Sequence, residues 1–271
     1  MIRDSFAAVA LALLLALAPA PVVAQSGNST VLEPSTPLPE RTRMYRPYRV
    51  GERLTYQTRV GFLGDVGEGW MEVARQDTIR GTPVLNLQLG LRASAVFGAF
   101  EVDDLLQSWL DPRTMRALRF QKDQKEISYE THRVYDFFPS ERRWTGVINE
   151  TKHEDGPLSS DTPLDDISFI YFVRSLPLKV GDRYVLDDYF KEDGNPVVIE
   201  VLRKETVRVP AGEFQTVVVK PTIKTDGLFG EGGQAELYFT DDSLHLLVQL
   251  KARMPVLRTL ELRLVAFDLG Y

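Results

Sequence analysis

Cysteine is absent from all 271 residues, and only three histidines are present. Without cysteine the fold gains nothing from disulfides, and neither a thiolate zinc site nor lipoprotein attachment after an N-terminal apolar run is possible. None of the histidines, His132, His153 and His245, stands in a His-Glu-x-x-His spacing. We therefore expect no metal site and no cofactor, and the core alone must hold the chain together.

An excess of positive charge is also absent, since 32 Lys and Arg stand against 38 Asp and Glu. A net charge of −6 with both signs mixed along the chain argues against a nucleic-acid partner, because nucleic-acid-binding proteins are usually basic. A hydrophobic content of 44% is ample for one large domain.

The only long apolar run lies at the start of the chain. Arg3 precedes an apolar stretch from Phe6 to Ala18, and Val22-Val23-Ala24 suits a signal peptidase. The stretch is too short to span a bilayer of about 30 Å comfortably, so a retained signal anchor is the weaker alternative. We predict a signal peptide over residues 1–24 that is cleaved after Ala24. The mature protein is then periplasmic or secreted, with no transmembrane segment.

The most informative positive feature is an internal similarity at an offset of 130 residues. Val50-Gly51-Glu52-Arg53 recurs as Val180-Gly181-Asp182-Arg183, and Trp109-Leu110-Asp111 corresponds to Phe239-Thr240-Asp241. One offset held over about sixty residues indicates two copies of one supersecondary unit. We place the copies at about 48–121 and 178–251, with a linking hairpin and helix over 122–177.

Period-two alternation dominates the chain after a Pro-rich leader over 25–45, which we expect to be extended or disordered. Alternating runs separated by Gly, Pro and Asp turns predict antiparallel strands throughout 46–271, a single all-β domain. The predicted strands are 53–60, 69–78, 84–93, 107–110, 117–121, 126–138, 143–151, 184–190, 197–207, 214–225, 234–240, 244–253 and 259–267.

One helix interrupts the strands. Thr162 can cap it, Pro163 suits its first position, and apolar residues recur at helical spacing from Ile167 to Arg174. We predict an amphipathic helix over 162–175. The expected fold is mainly β: two antiparallel curved sheets, packed as a sandwich or as paired partial barrels, built from the repeat and joined by this helix.

Four motifs together resemble an exported bacterial family, the domain of unknown function 3108. They are Tyr-x-Val-Gly-Glu-x-Leu-x-Tyr at Tyr48 to Tyr56, Asp-x-x-Ser-x-x-Tyr at Asp165 to Tyr171, Val-Pro-Ala-Gly-x-Phe at Val209 to Phe214, and Gly-Leu-Phe leading to Thr-Asp-Asp over Gly227 to Asp242. The resemblance implies an exported, mainly β protein and supplies no activity or catalytic residues. Met254-Pro255-Val256-Leu257 departs from the pattern.

Catalytic signals are weak. Four Asp-Asp pairs are present, but neighbouring residues on a strand point to opposite faces, and only Asp241-Asp242 lies in a clear turn. Turn-forming and helix-capping roles are the preferred interpretation. The glycines at 61, 64, 67 and 69 follow no phosphate-loop pattern. We expect no enzyme, and a carboxylate-dependent hydrolase is a distant alternative.

The candidate binding residues are aromatic and apolar. Phe97 and Phe100 stand beside glycine in one copy, and Leu228 and Phe229 do so at the corresponding place in the other. Exposed Phe and Leu at hairpin tips would require a partner, a membrane surface or a pocket, whereas inward-folded loops would only cap the core. The helix residues Ile170 and Tyr171 and the tryptophans Trp70 and Trp109 complete the set.

These observations favour a non-enzymatic envelope protein that binds a lipid or another hydrophobic or amphipathic ligand in a concavity between the repeats and the helix. The alternative is a structural or protein-interaction module of the envelope. An open apolar cavity between the halves would favour ligand binding, and a filled core would favour the module.

Overall fold

The computed structural model describes residues 35–95, 100–126, 129–223, 234–254 and 258–270. Its fourteen strands form one antiparallel sheet in the order β8-β7-β6-β5-β4-β3-β2-β1-β14-β13-β12-β11-β10-β9. The strands are β1 Glu52–Val60, β2 Gly64–Ile79, β3 Thr82–Ala95, β4 Phe100–Asp111, β5 Arg116–Glu126, β6 Tyr129–Phe138, β7 Arg143–Ile148, β8 Lys152–Pro157, β9 Arg183–Leu186, β10 Val197–Val209, β11 Gly212–Thr222, β12 Gln234–Thr240, β13 Leu247–Met254 and β14 Arg258–Leu269.

The expected arrangement of two sheets is wrong. The first strand of the chain pairs with the last, from Glu52 opposite Leu269 to Val60 opposite Leu260, and this pairing joins the two halves edge to edge. A half with an unpaired edge exposes a row of backbone donors and acceptors, so joining the edges satisfies both. Within the described residues the sheet begins at β8 and ends at β9 and does not close.

The two halves share backbone geometry at the 130-residue offset. Gly51 and Gly181 have φ of +90° and +91°, and their N–H groups donate to the carbonyls of Val73 and Val201 at 2.9 Å each. Met115 and His245, also 130 apart, have φ of 55° and 42°. β1 to β5 and β9 to β13 are each a meander of sequential neighbours.

The helix, α1, spans Asp166–Arg174 and is shorter than predicted. Its N-cap is Asp165 and not Thr162, because Thr162 donates its hydroxyl to Asp188 and Leu164 forms a bridge with Tyr189, which keeps that stretch extended. Every residue from Ile167 to Arg174 is buried, so α1 has no solvent-facing side and is not amphipathic in place. It packs inside the curved sheet against β3 and β4.

The helix defines one end of the sheet. The turns at 80–81, 112–115, 139–142, 210–211 and 241–246 lie at this helix end, whereas β1, β3, β5, β7, β11 and β13 finish at the opposite, distal end. β8 was not predicted, because Lys152 to Pro157 has no alternating apolar residues. It forms through a three-residue connection, 149–151, in which Asn149 and Glu150 both have positive φ and Thr151 donates its N–H to the Ile148 carbonyl at 3.2 Å.

Part of the expected leader is attached to the fold. Arg41–Arg43 form a 3-10 turn, and Met44 and Tyr48 are buried in the core. The Arg41 guanidinium donates to the Met115 carbonyl at 2.6 Å and pairs with Asp188 at 2.5 Å. The composition that suggested disorder is thus outweighed by specific contacts from residue 36 onward.

Candidate functional site

A buried ion pair lies where the helix, β1 and the β12–β13 turn meet. Arg174 donates from Nη1 to Glu52 Oε1 at 2.6 Å and from Nη2 to Glu52 Oε2 at 3.0 Å. The side chains are 0% and 2% exposed. Arg174 also donates to the carbonyl oxygens of His245 at 3.0 Å and Leu244 at 3.2 Å. The forked geometry satisfies both carboxylate oxygens.

Three tyrosines enclose the pair. The Arg174 guanidinium lies 5.5 Å from the Tyr48 ring centroid and 5.3 Å from that of Tyr171, and the two rings meet edge to face at 4.9 Å. Tyr56 donates its hydroxyl to the Leu247 carbonyl at 2.9 Å. Burial raises the pKa of Tyr48 to about 12 and also raises that of Tyr171. Tyr48 and Tyr171 therefore stay protonated near neutral pH.

The charges of the pair depend on each other. Burial opposes the positive charge of Arg174, but the adjacent Glu52 carboxylate outweighs burial and raises the arginine pKa. Removing either partner would leave an uncompensated charge in the core. Because both groups are sealed from solvent, the pair holds the helix in place and has no access to a substrate.

A second polar cluster starts the helix. The Asp165 carboxylate accepts from the N–H groups of Ile167 and Ser168 at 2.9 Å each and from the Ser108 hydroxyl at 2.6 Å. In return, the Asp165 N–H donates to the Ser168 hydroxyl oxygen at 2.8 Å. This is a capping box. Burial raises the pKa of Asp165 to about 7, against the hydrogen bonds that favour the carboxylate. The next residue, Asp166, pairs with Lys122 at 2.8 Å.

Two of the four motifs behind the family resemblance meet in space. Tyr48, Glu52 and Tyr56 come from the first motif and Asp165, Ser168 and Tyr171 from the second, and all six surround or cap α1. The ion pair itself was missed from the sequence, where Arg174 counted only toward helical spacing. A charged residue on an apolar helix face is the signal that could have revealed a buried partner.

The predicted site residues that the structure describes do not form one site. Ile170 and Tyr171 are 1% and 0% exposed and belong to the core. Trp109 is buried and donates its indole N–H to Asp77 at 3.0 Å. Trp70 is half-buried on the outer face, with Arg53 and Arg92 within 5.3 and 5.1 Å of its ring. Phe97, Leu228 and Phe229 lie outside the described residues, as does the side chain of Phe100 at the start of β4.

The aspartate pairs have local roles. Asp242 accepts from the Leu244 and His245 N–H groups within the β12–β13 turn, and Asp241 pairs with Lys204 at 2.7 Å. Asp103 faces Arg92, whereas Asp104 is buried on the opposite face. Among the described residues, no three or more His, Cys, Asp or Glu side chains are grouped so that they could hold a metal ion.

Two further features lie toward the distal end. A polar surface cleft of about 430 Å³ is lined by Asp103, Asp123, Gln124, Lys125, Glu130, Thr131, His132 and Asn149. Inside the sheet, a small apolar cluster separate from the main core comprises Val60, Val66, Ala93 and Val102. The cleft is too polar for an apolar ligand. The cluster shows that the interior of the sheet is also apolar near its distal end, away from the helix.

The family profile for proteins of unknown function DUF3108 matches residues 53–263. The chain belongs to the DUF3108 family. That assignment covers both halves and α1, which confirms the resemblance drawn from the motifs. No curated protein matches the chain.

Solved structures resemble this DUF3108 chain at low identity. The β-barrel-like DUF1849 protein from Brucella abortus is 9% identical with a TM-score of 0.54, over 82% of this chain and 98% of its own. A candidate lipoprotein from Parabacteroides distasonis is 11% identical with a TM-score of 0.37, over 83% of this chain and 98% of its own. The first likeness indicates a shared β-barrel-like fold. In the described part of the chain, no helix has the length and apolarity needed to cross a membrane.

Proposed function

We propose that the protein is an exported, non-enzymatic structural or interaction module of the cell envelope, and that it acts through its outer surfaces. The observation that carries this proposal is the filled interior at the helix end. There α1 fills the interior of the sheet, and Ile167 to Arg174 are all buried.

The chemistry of that interior supports the same proposal. The polar groups around the helix all bind other groups of the protein: Glu52 pairs with Arg174, Asp165 accepts from backbone N–H groups, and Asp166 pairs with Lys122. A catalytic group needs access to substrate, and the carboxylates at the two ends of α1 are sealed: Asp165 is 0% and Glu52 1% exposed. They serve to fix one rigid sheet around one helix.

The export half of the proposal rests on the N-terminal pattern of Arg3, the apolar run and Ala24. Cell fractionation with N-terminal sequencing tests it. We expect the protein in the periplasmic or extracellular fraction with Gln25 as its first residue. Uncleaved protein in the cytosol would contradict export.

The interaction half is tested with site-specific photo-crosslinkers in living cells. One is placed at Tyr45, which is 61% exposed at the helix end, and one at Val265, which is 42% exposed on β14. We expect discrete crosslinked products from at least one surface. Crosslinkers at the buried positions Leu54 and Val73 are the control, because neither side chain reaches solvent. Absence of products from both exposed positions would count against an interaction module.

Binding of an apolar ligand is the second candidate, and the distal cluster of Val60, Val66, Ala93 and Val102 favours it. We expect Val66→Asp and Val102→Asp to weaken binding of a fluorescent fatty acid if the ligand enters at the distal end. Val265→Asp on the outer face of β14 is the matched control. Purified protein that carries no lipid and binds no fatty-acid probe would eliminate this candidate.

A further inference from the structure

We propose that the helix end of the molecule carries an arginine face that docks on anionic membrane lipids. The inference rests on the proposed envelope role and names its partner. The arginine face comprises Arg43, Arg46, Arg49, Arg113 and Arg116 together with the exposed side chains of Leu38 and Tyr45.

The first argument is charge. Residues 35–50 contain four arginines and one acid, although the chain as a whole has a net charge of −6. The arginine side chains extend outward: that of Arg43 is 83% exposed and that of Arg113 is 75% exposed. The carboxylate of Asp111, which lies nearest Arg113 and Arg116, is only 3% exposed. Glu40 pairs with Arg43 at 3.2 Å, and Asp161 is a further exposed acid. Across residues 35–50 and 111–116, six arginines stand against two acids, so this face carries an excess of positive charge.

The second argument is that contacts make the arginines one surface. Arg46 Nη2 donates to the Arg113 carbonyl at 2.9 Å and to the Arg41 carbonyl at 3.2 Å, which ties the N-terminal segment to the β4–β5 turn. Met44 and Tyr48 anchor the same segment in the core. The arginines are thus presented on a fixed platform, and little conformational freedom is lost when they bind.

The third argument distinguishes a lipid surface from an acidic protein. Tyr45 is 61% and Leu38 is 38% exposed beside the arginines. Basic residues mixed with an exposed aromatic and an aliphatic side chain suit the boundary between headgroups and acyl chains.

Vesicle co-sedimentation tests the proposal on the chain from Gln25 to Tyr271. We expect binding to vesicles of phosphatidylglycerol and phosphatidylcholine, little binding to pure phosphatidylcholine, and weakening with added salt, because lipid phosphate attraction is screened. The double variant Arg43→Gln/Arg113→Gln should bind the anionic vesicles about thirtyfold more weakly, given the usual contribution of two basic residues at an anionic surface.

The matched control is Arg59→Gln/Arg92→Gln, which removes the same charge from two exposed arginines near the distal end, where Arg59 pairs with Asp65 and Arg92 with Asp103. It should bind like the unaltered chain. Tyr45→Ser should weaken vesicle binding further without changing the melting temperature.

Equal loss in the control and face variants would reduce the effect to net charge and overturn the proposal. So would binding to polyglutamate, but not to anionic vesicles, that depends on Arg43 and Arg113, since this would identify an acidic protein partner. If vesicle binding fails while the in-cell crosslinks persist, the interaction module stands and only its lipid partner is rejected.

Discussion

Arg174 and Glu52 decide the stability of the helix end at the scale of single residues. Their side chains are fully buried, bidentate and bound to the β12–β13 turn, so three separate segments depend on one ion pair. A buried pair is weak evidence for net stabilisation, but the loss of one partner is costly because the other charge remains in the core.

We expect Glu52→Gln to lower the free energy of unfolding by about 3–5 kcal/mol, the usual range for breaking a buried pair. Urea denaturation followed by tryptophan fluorescence measures the change. Arg208→Gln, whose partner Glu213 is exposed, should change stability by less than about 1 kcal/mol. Similar effects of the two substitutions would show that the buried pair has no special role.

Asp165 gives a pH-dependent prediction. Its pKa is about 7 in the folded protein against 3.8 for a free side chain, so the folded state binds the proton more tightly. Between about pH 4 and 7, stability should therefore fall as pH rises, and the contribution should be fully present below pH 4. Asp165→Asn keeps an N-cap without the titration. Melting temperatures of both proteins are measured from pH 4 to 8. As pH rises from 4 to 7, the melting temperature of the unaltered protein should fall relative to that of Asp165→Asn. A constant difference between the two curves would refute the assignment.

At the scale of elements, the turns that start β1 and β9 are closely equivalent. Gly51 and Gly181 share positive φ and the same type of N–H donation. Their surroundings differ, since a Cβ at Gly51 would lie 3.1 Å from the Gly270 Cα, and a Cβ at Gly181 would meet nothing within 4 Å.

This difference predicts unequal costs for the same substitution. Gly181→Ala should destabilise by about 1 kcal/mol through backbone strain alone. Gly51→Ala should cost more, because it also pushes the end of β14 away from β1. Midpoints of urea unfolding compare the two variants. Equal midpoints would mean that the Gly51–Gly270 contact relaxes without cost.

At the scale of the whole molecule, the β1–β14 pairing makes one sheet out of two meanders. Neither half can be removed without exposing the edge of the other, and α1 contacts both through Glu52 and the β12–β13 turn. The molecule should therefore behave as a single cooperative unit, although the chain reads as two copies.

Scanning calorimetry should show one unfolding transition with equal calorimetric and van't Hoff enthalpies. A pair of substitutions, Leu54→Ala in β1 and Leu237→Ala in β12, should shift that transition without splitting it, since both side chains are fully buried. Two resolved transitions would mean that the halves unfold independently.

Local sequence patterns predicted much of the secondary structure. Alternation and turn residues gave most strands close to their observed ends, and the helical spacing from Ile167 to Arg174 located α1. These features could be predicted because each depends on neighbouring residues. The family assignment followed from four short motifs in order.

Contacts between distant parts of the chain could not be predicted from local patterns. Glu52 meets Arg174 across 122 residues, and β1 meets β14 from the other end of the chain. Both depend on the global path of the sheet, which backbone propensities do not specify. The pattern of alternation therefore established an all-β chain built around one helix, whereas the satisfaction of free strand edges and buried charges established a single sheet with a filled helix end.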